Sequence, residues 1–105
     1  MTLAELRAAA LALGGAVEAP HFDYASFRVG GRIFATVPPT GDRVHLFVAP
    51  ERAEGVAGCE PLWWGKKVVG VRADLHEAPA AEIVRLLREA WAEKAPKRLV
   101  RAAGG

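Results

Sequence analysis

Asparagine and glutamine are absent from this 105-residue chain, and cysteine occurs once, at Cys59. Polar positions fall instead to Arg, Lys, Glu and Asp, a bias expected where thermolabile amides are disfavoured. A GC-rich genome, rich in Ala, Gly, Arg, Val and Pro codons, accounts for it equally well. The side chains that read adenine through paired hydrogen bonds are missing, which removes that form of sequence readout. A lone cysteine excludes an internal disulfide and a Cys-rich zinc cluster. Uninterrupted apolar runs last only a few residues, far short of the roughly 20 that a membrane-spanning helix needs. The start, Met1 to Glu5, lacks a basic stretch followed by an apolar one, so the sequence predicts a cytoplasmic chain. No glycine-rich phosphate loop is present, because Gly30-Gly31 precedes no helix that could receive a phosphate.

Hydrophobic residues make up 51% of the chain and charged residues 25%, the balance of a globular protein. At this length the chain reads as one domain spanning residues 1–105. Thr2 followed by Glu5 is a capping box, and Leu3, Leu6, Ala10 and Leu13 recur at helical spacing, which predicts a helix over Leu3–Leu13 that stops at Gly14-Gly15. After a loop containing Pro20, residues 25–29 and 32–37 form a hairpin around the Gly30-Gly31 turn. Its expected register sets Val29 against Arg32 and Phe27 against Phe34, with Arg28, Ile33, Ala35 and Val37 on the other face.

Arg43–Val48 alternates as a strand, with Val44, Leu46 and Val48 inward and Arg43, His45 and Phe47 outward. Pro50 opens a short helix, with Glu51 and Glu54 in its first turns, that ends by Gly58. Val68–Arg72 is a further strand, entered through a segment that holds Trp63 and Trp64. Pro79 opens the last helix, where Ile83, Leu86, Leu87, Ala90 and Trp91 form one apolar stripe and Arg85 pairs with Glu89 on the outer side. Pro96 should stop it. Together these elements predict an α+β fold, an antiparallel sheet of at least four strands with the N- and C-terminal helices packed on one face.

A nucleophilic site would need Cys59, Ser26 or one of three threonines beside His21, His45 or His76, and none lies in a recognised nucleophile context. His21 and Asp23 could share one ion, but a zinc site needs about three or four ligands. The expectation is a binding module that is not an enzyme and holds no metal or cofactor.

Charge points to the partner. Pro61–Ala73 carries +3 and residues 94–105 carry +4 in side chains, with no acid in either segment, whereas the remainder carries −5. If the fold brings them together, Lys66, Lys67 and Arg72 share one side of the molecule with some of Lys94, Lys97, Arg98 and Arg101. Aromatic rings beside lysines can stack on bases while the ammonium groups neutralise phosphates. Alternatively, one of Trp63 and Trp64 lies in the core, and the basic C-terminal stretch is a helix end or a loose tail.

Several stretches resemble the MmcQ/YjbR-like family. They are the hairpin Phe27-Arg28-Val29-Gly30-Gly31-Arg32-Ile33-Phe34-Ala35, the strand that runs into Pro50-Glu51, the strand Val68-Val69-Gly70-Val71-Arg72 and, most specifically, Ala90-Trp91-Ala92-Glu93-Lys94-Ala95-Pro96-Lys97-Arg98-Leu99. The likeness covers nearly the whole chain. It implies a single α+β domain similar to the bacterial frataxin fold, with DNA binding through a double-wing arrangement. Many members carry a tryptophan where this chain has Val68-Val69, so the aromatics here are displaced to Trp63-Trp64. Frataxin-like iron handling uses an acidic helix face, and the first helix here offers only Glu5.

The expected partner is therefore duplex DNA, bound weakly and with little sequence preference by a monomer or weak homodimer. The expected contacts are Arg28, Arg32, Trp64, Lys66, Lys67, Arg72, Lys97, Arg98 and Arg101. The competing expectation is a regulatory domain that binds a protein or a small apolar ligand on the sheet face or near Trp63-Trp64.

Overall fold

The capping box forms: the Thr2 hydroxyl accepts the Glu5 N–H at 3.1 Å and the Glu5 carboxylate accepts the Thr2 N–H at 2.8 Å. In the computed structural model, which describes Met1–Gly104, α1 spans Leu3–Leu11. It ends two residues before the predicted Leu13. The Leu13 and Ala16 N–H groups instead close tight turns onto Ala10 and Leu13, and Gly15 at φ 69° reverses the chain.

Six strands follow: β1 Val17–His21, β2 Tyr24–Val29, β3 Arg32–Val37, β4 Arg43–Leu46, β5 Cys59–Trp64 and β6 Lys67–Asp74. They form one sheet in the order β1-β2-β3-β4-β6-β5, every pair antiparallel. β1 and β5 fall where the sequence predicts loop. Each holds a proline, Pro20 or Pro61, and each is an edge strand, where a missing N–H is tolerated. Pro50 opens a single 3-10 turn, Pro50–Ala53, in place of the expected longer helix. The helix that follows Pro79, α2, spans Ala80–Lys94; Ala95 is extended, and a further helix, α3, runs over Lys97–Ala102. The basic C-terminal stretch is thus a short helix.

The helices cover one face of the sheet. Leu6 and Ala10 of α1 and Ile83, Leu86, Leu87, Ala90 and Trp91 of α2 pack with Phe27, Val29, Ala35, Val37, Val44, Leu46, Val71 and Ala73. Each large side chain so buried contributes about 1.5–3 kcal/mol. The stripe read from α2 is as predicted, and Val44, Leu46 and Val48 are all buried as expected, although β4 stops at Leu46, two residues short of the predicted Val48. The register of the β2–β3 hairpin is not as predicted. Val29 does face Arg32, but a bulge sets Phe27 opposite Ala35, and Arg28 opposes Ile33. Phe34 is the extra residue, so Ala35 and Val37 join the core, against expectation.

The other face carries the row Ala19, Ser26, Thr36, His45, Arg72 and Glu60, each the cross-strand partner of the next. Gly70 is required on β6, because a Cβ there would meet the Leu46 carbonyl. Asp74 ends β6 by accepting the His76 and Glu77 N–H groups at 2.8 and 3.0 Å, and those bonds, Glu77 first, hold its carboxyl below the ordinary range.

Antiparallel pairing places successive turns at alternate ends of the sheet. Gly14-Gly15, Gly30-Gly31 and Gly65-Lys66 fall at one end, hereafter the tip end, and Phe22-Asp23, residues 38–42 and Gly58 at the other. Both long helices run toward the tip end. The Met1 ammonium donates to the Leu75 carbonyl at their start, and the Trp91 indole donates to the Gly14 carbonyl near their finish. The α2–α3 corner therefore reaches the β2–β3 turn, where a Cβ on Gly30 would come within 3.3 Å of Pro96. No helix among the described residues is long and apolar enough to cross a membrane.

Candidate nucleic-acid interface

Two hairpins reach the tip end. The first turns through Gly30 and Gly31 at φ 57° and 78°, the pair of positive values that a type I′ turn needs. Arg32 follows it, exposed, opposite Val29. In the second, Trp64 faces Lys67 across a turn whose first corner is Gly65 at φ 59°. β4 pairs with β6 only over Val71–Asp74, so the Leu62–Gly70 ribbon continues beyond the last β4 pairing. It leaves Trp63 57% and Trp64 68% exposed. Neither tryptophan is core, so the alternative that buried one of them fails. The two tips lie about three strand spacings, roughly 14 Å, apart.

The cations at this end have no carboxylate partners. Among the described residues, ion pairs engage Arg7, Arg43, Arg52, Arg72 and Arg85. Arg32, Lys66 and Lys67 on the hairpins, Lys94 at the end of α2, and Lys97, Arg98 and Arg101 on α3 take part in none. Residues 30–32, 63–68 and 94–102 contain no acid, and Glu93 is the flanking carboxylate. Lys94 was not among the expected contacts, although its charge was counted; only its place at the corner between α2 and α3 adds it to this group.

Arg28 and Arg72 lie elsewhere, on the open face of the sheet. Arg72 is ion-paired with Glu60, its cross-strand neighbour. The Arg28 Nε donates to the Ser26 hydroxyl at 3.0 Å, and that hydroxyl donates to the Ala19 carbonyl at 2.7 Å. Arg28 is therefore a fixed guanidinium with no carboxylate beside it. His45, half-buried on the same face and 6.0 Å from the Tyr24 ring, is held below its ordinary pKa by burial first and then by Arg72 and Arg43. At Cys59 burial, with Glu82 adding to it, pushes the thiol pKa up, the opposite of an activated nucleophile. Among the described residues no three His, Cys, Asp or Glu side chains gather as a metal-binding group.

A six-stranded antiparallel sheet backed by helices, with two hairpin turns at one end, defines an α+β domain whose chemistry at that end is aromatic and basic. The YjbR family model matches residues 11–93. The chain belongs to the YjbR family, as the resemblance implied. No curated protein matches it.

Proposed function

We propose that the domain is a non-enzymatic binding module that holds nucleic-acid phosphates, those of duplex DNA included, against the cations of the tip end. The observation that carries this reading is that the two hairpin turns and the α2–α3 corner lie at one end of the sheet, and that the seven cations they carry, Arg32, Lys66, Lys67, Lys94, Lys97, Arg98 and Arg101, make no ion pair among the described residues, while five of the seven arginines elsewhere do, Arg28 and Arg88 being the exceptions. Two tips roughly 14 Å apart compare with a major groove about 12 Å wide, so phosphates on both sides of a groove come within reach. The absence of Asn and Gln leaves such contacts intact, because they carry no sequence information. Arg28, fixed on the open face, is a further phosphate contact for a strand that runs up the sheet, and Arg72 joins only by giving up Glu60.

A titration of labelled duplex DNA at two salt concentrations tests the reading. Neutralising about four phosphates gives a slope of log affinity against log salt near −3.6, with dissociation constants of about 10⁻⁴ to 10⁻⁶ M at physiological salt. No binding even at low salt would overturn it and favour a protein or small apolar ligand on the open face.

A further inference from the structure

We propose that Trp63 and Trp64 make the β5–β6 ribbon a stacking platform for unpaired bases, so that the domain prefers single-stranded over duplex nucleic acid. This rests on the phosphate-binding reading above and adds the substrate class.

The register fixes how the rings are presented. The bulge between β5 and β6 places its extra residue, Val69, on β6, so β5 keeps its regular alternation and the two tryptophans point to opposite faces of the ribbon. At 57% and 68% exposure neither ring is covered by its own fold. Trp64 is the cross-strand partner of Lys67, with Lys66 at the turn beside it, and neither lysine has a carboxylate partner among the described residues. Directly opposed side chains start about 5 Å apart. A base stacked on Trp64 thus has its phosphate beside a free ammonium group.

A duplex hides the faces of its bases within the stack, so it offers cations a backbone but offers these rings little. An unpaired strand offers both. A second copy of the chain fits the ribbon less well. Docking surfaces on proteins are contiguous patches, whereas these rings lie on opposite faces, and Pro61 on the same edge strand has no N–H to lend to an added strand.

The experiment compares a labelled oligothymidylate with a duplex of equal length at the same low salt, for the full chain and for Trp63→Ala, Trp64→Ala and the pair K66A/K67A. We expect tighter binding of the oligothymidylate and quenching of tryptophan emission by it. Each tryptophan substitution should weaken oligothymidylate binding at least about fivefold and leave duplex affinity within about twofold, whereas K66A/K67A should flatten the salt dependence for both ligands. Equal affinity for the two ligands, or single-strand affinity unchanged by both tryptophan substitutions, would overturn the stacking proposal and leave the phosphate reading standing. Binding of neither ligand would overturn both. Self-association that shields both rings in the absence of nucleic acid would also overturn it, in favour of a second copy.

Discussion

Replacing Trp91 with alanine should lower the unfolding free energy by about 3 to 5 kcal/mol, the cost of emptying a large buried aromatic site. Trp91 is 2% exposed and belongs to the stripe through which α2 meets the sheet. Its indole N–H also donates to the Gly14 carbonyl at 2.8 Å, joining the end of α2 to the turn that follows α1. Alanine removes the packing and leaves that carbonyl without its donor, a further loss of about 1 kcal/mol. A domain of this size has roughly 5–15 kcal/mol in total, so the variant should retain little margin, with a midpoint lower by on the order of 15 °C or more. Urea unfolding followed by circular dichroism measures the difference. Trp91→Phe, which keeps a ring but not the hydrogen bond, should fall between the two. A loss below about 1 kcal/mol for alanine would mean that α2 does not anchor the fold through this side chain.

The second large effect is electrostatic. Each phosphate released from a bound cation removes about 0.9 from the slope of log affinity against log salt. K66A/K67A should therefore flatten the duplex slope by up to about two units, and K97A/R98A should flatten it by a similar amount, across all sequences alike. The combined variant should lose up to about 3.6 units of slope, four contacts at about 0.9 each, and Arg32, Lys94 and Arg101 carry whatever salt dependence is left. Both pairs are exposed on a turn and on a short helix, so neither double substitution should move the unfolding midpoint. Slopes unchanged by both would mean that these cations are solvated surface.

How much of this was legible in the sequence follows from where periodicity is strong. α2 keeps a 3.6-residue repeat through Ile83, Leu86, Leu87, Ala90 and Trp91, and β4 alternates cleanly through Val44 and Leu46, so both were readable. β1 and β5 are edge strands with little to bury: β5 hides Leu62 alone among its six residues, and β1 hides none. With a proline in each, neither shows alternation. The β2–β3 bulge was hidden because both faces of that hairpin are partly apolar, so either register satisfies the pattern. α3 is too short for a period, and only the half-burial of Leu99 and Val100 distinguishes its two sides.

The candidate site was legible as charge and illegible as geometry. The basic segments, the aromatic pair and the glycine turn are all in the sequence. Whether Gly65-Lys66 falls at the same end as Gly30-Gly31 depends on the number and order of strands between them, and a strand read as loop upsets that count. The presentation of Trp63 and Trp64 is hidden in the sequence for the same reason. As loop, residues 61–67 give no rule for where two adjacent rings point; as a strand, they must point to opposite faces.

Nucleic acid held at the tip end should reveal itself in backbone amide chemical shifts recorded as an oligonucleotide is added. The largest shifts should cluster at Gly30–Arg32, Trp63–Val68 and Lys97–Arg101 and recede as salt is raised. Shifts centred instead on Phe22-Asp23 and residues 38–42, at the opposite end of the sheet, would contradict that placement.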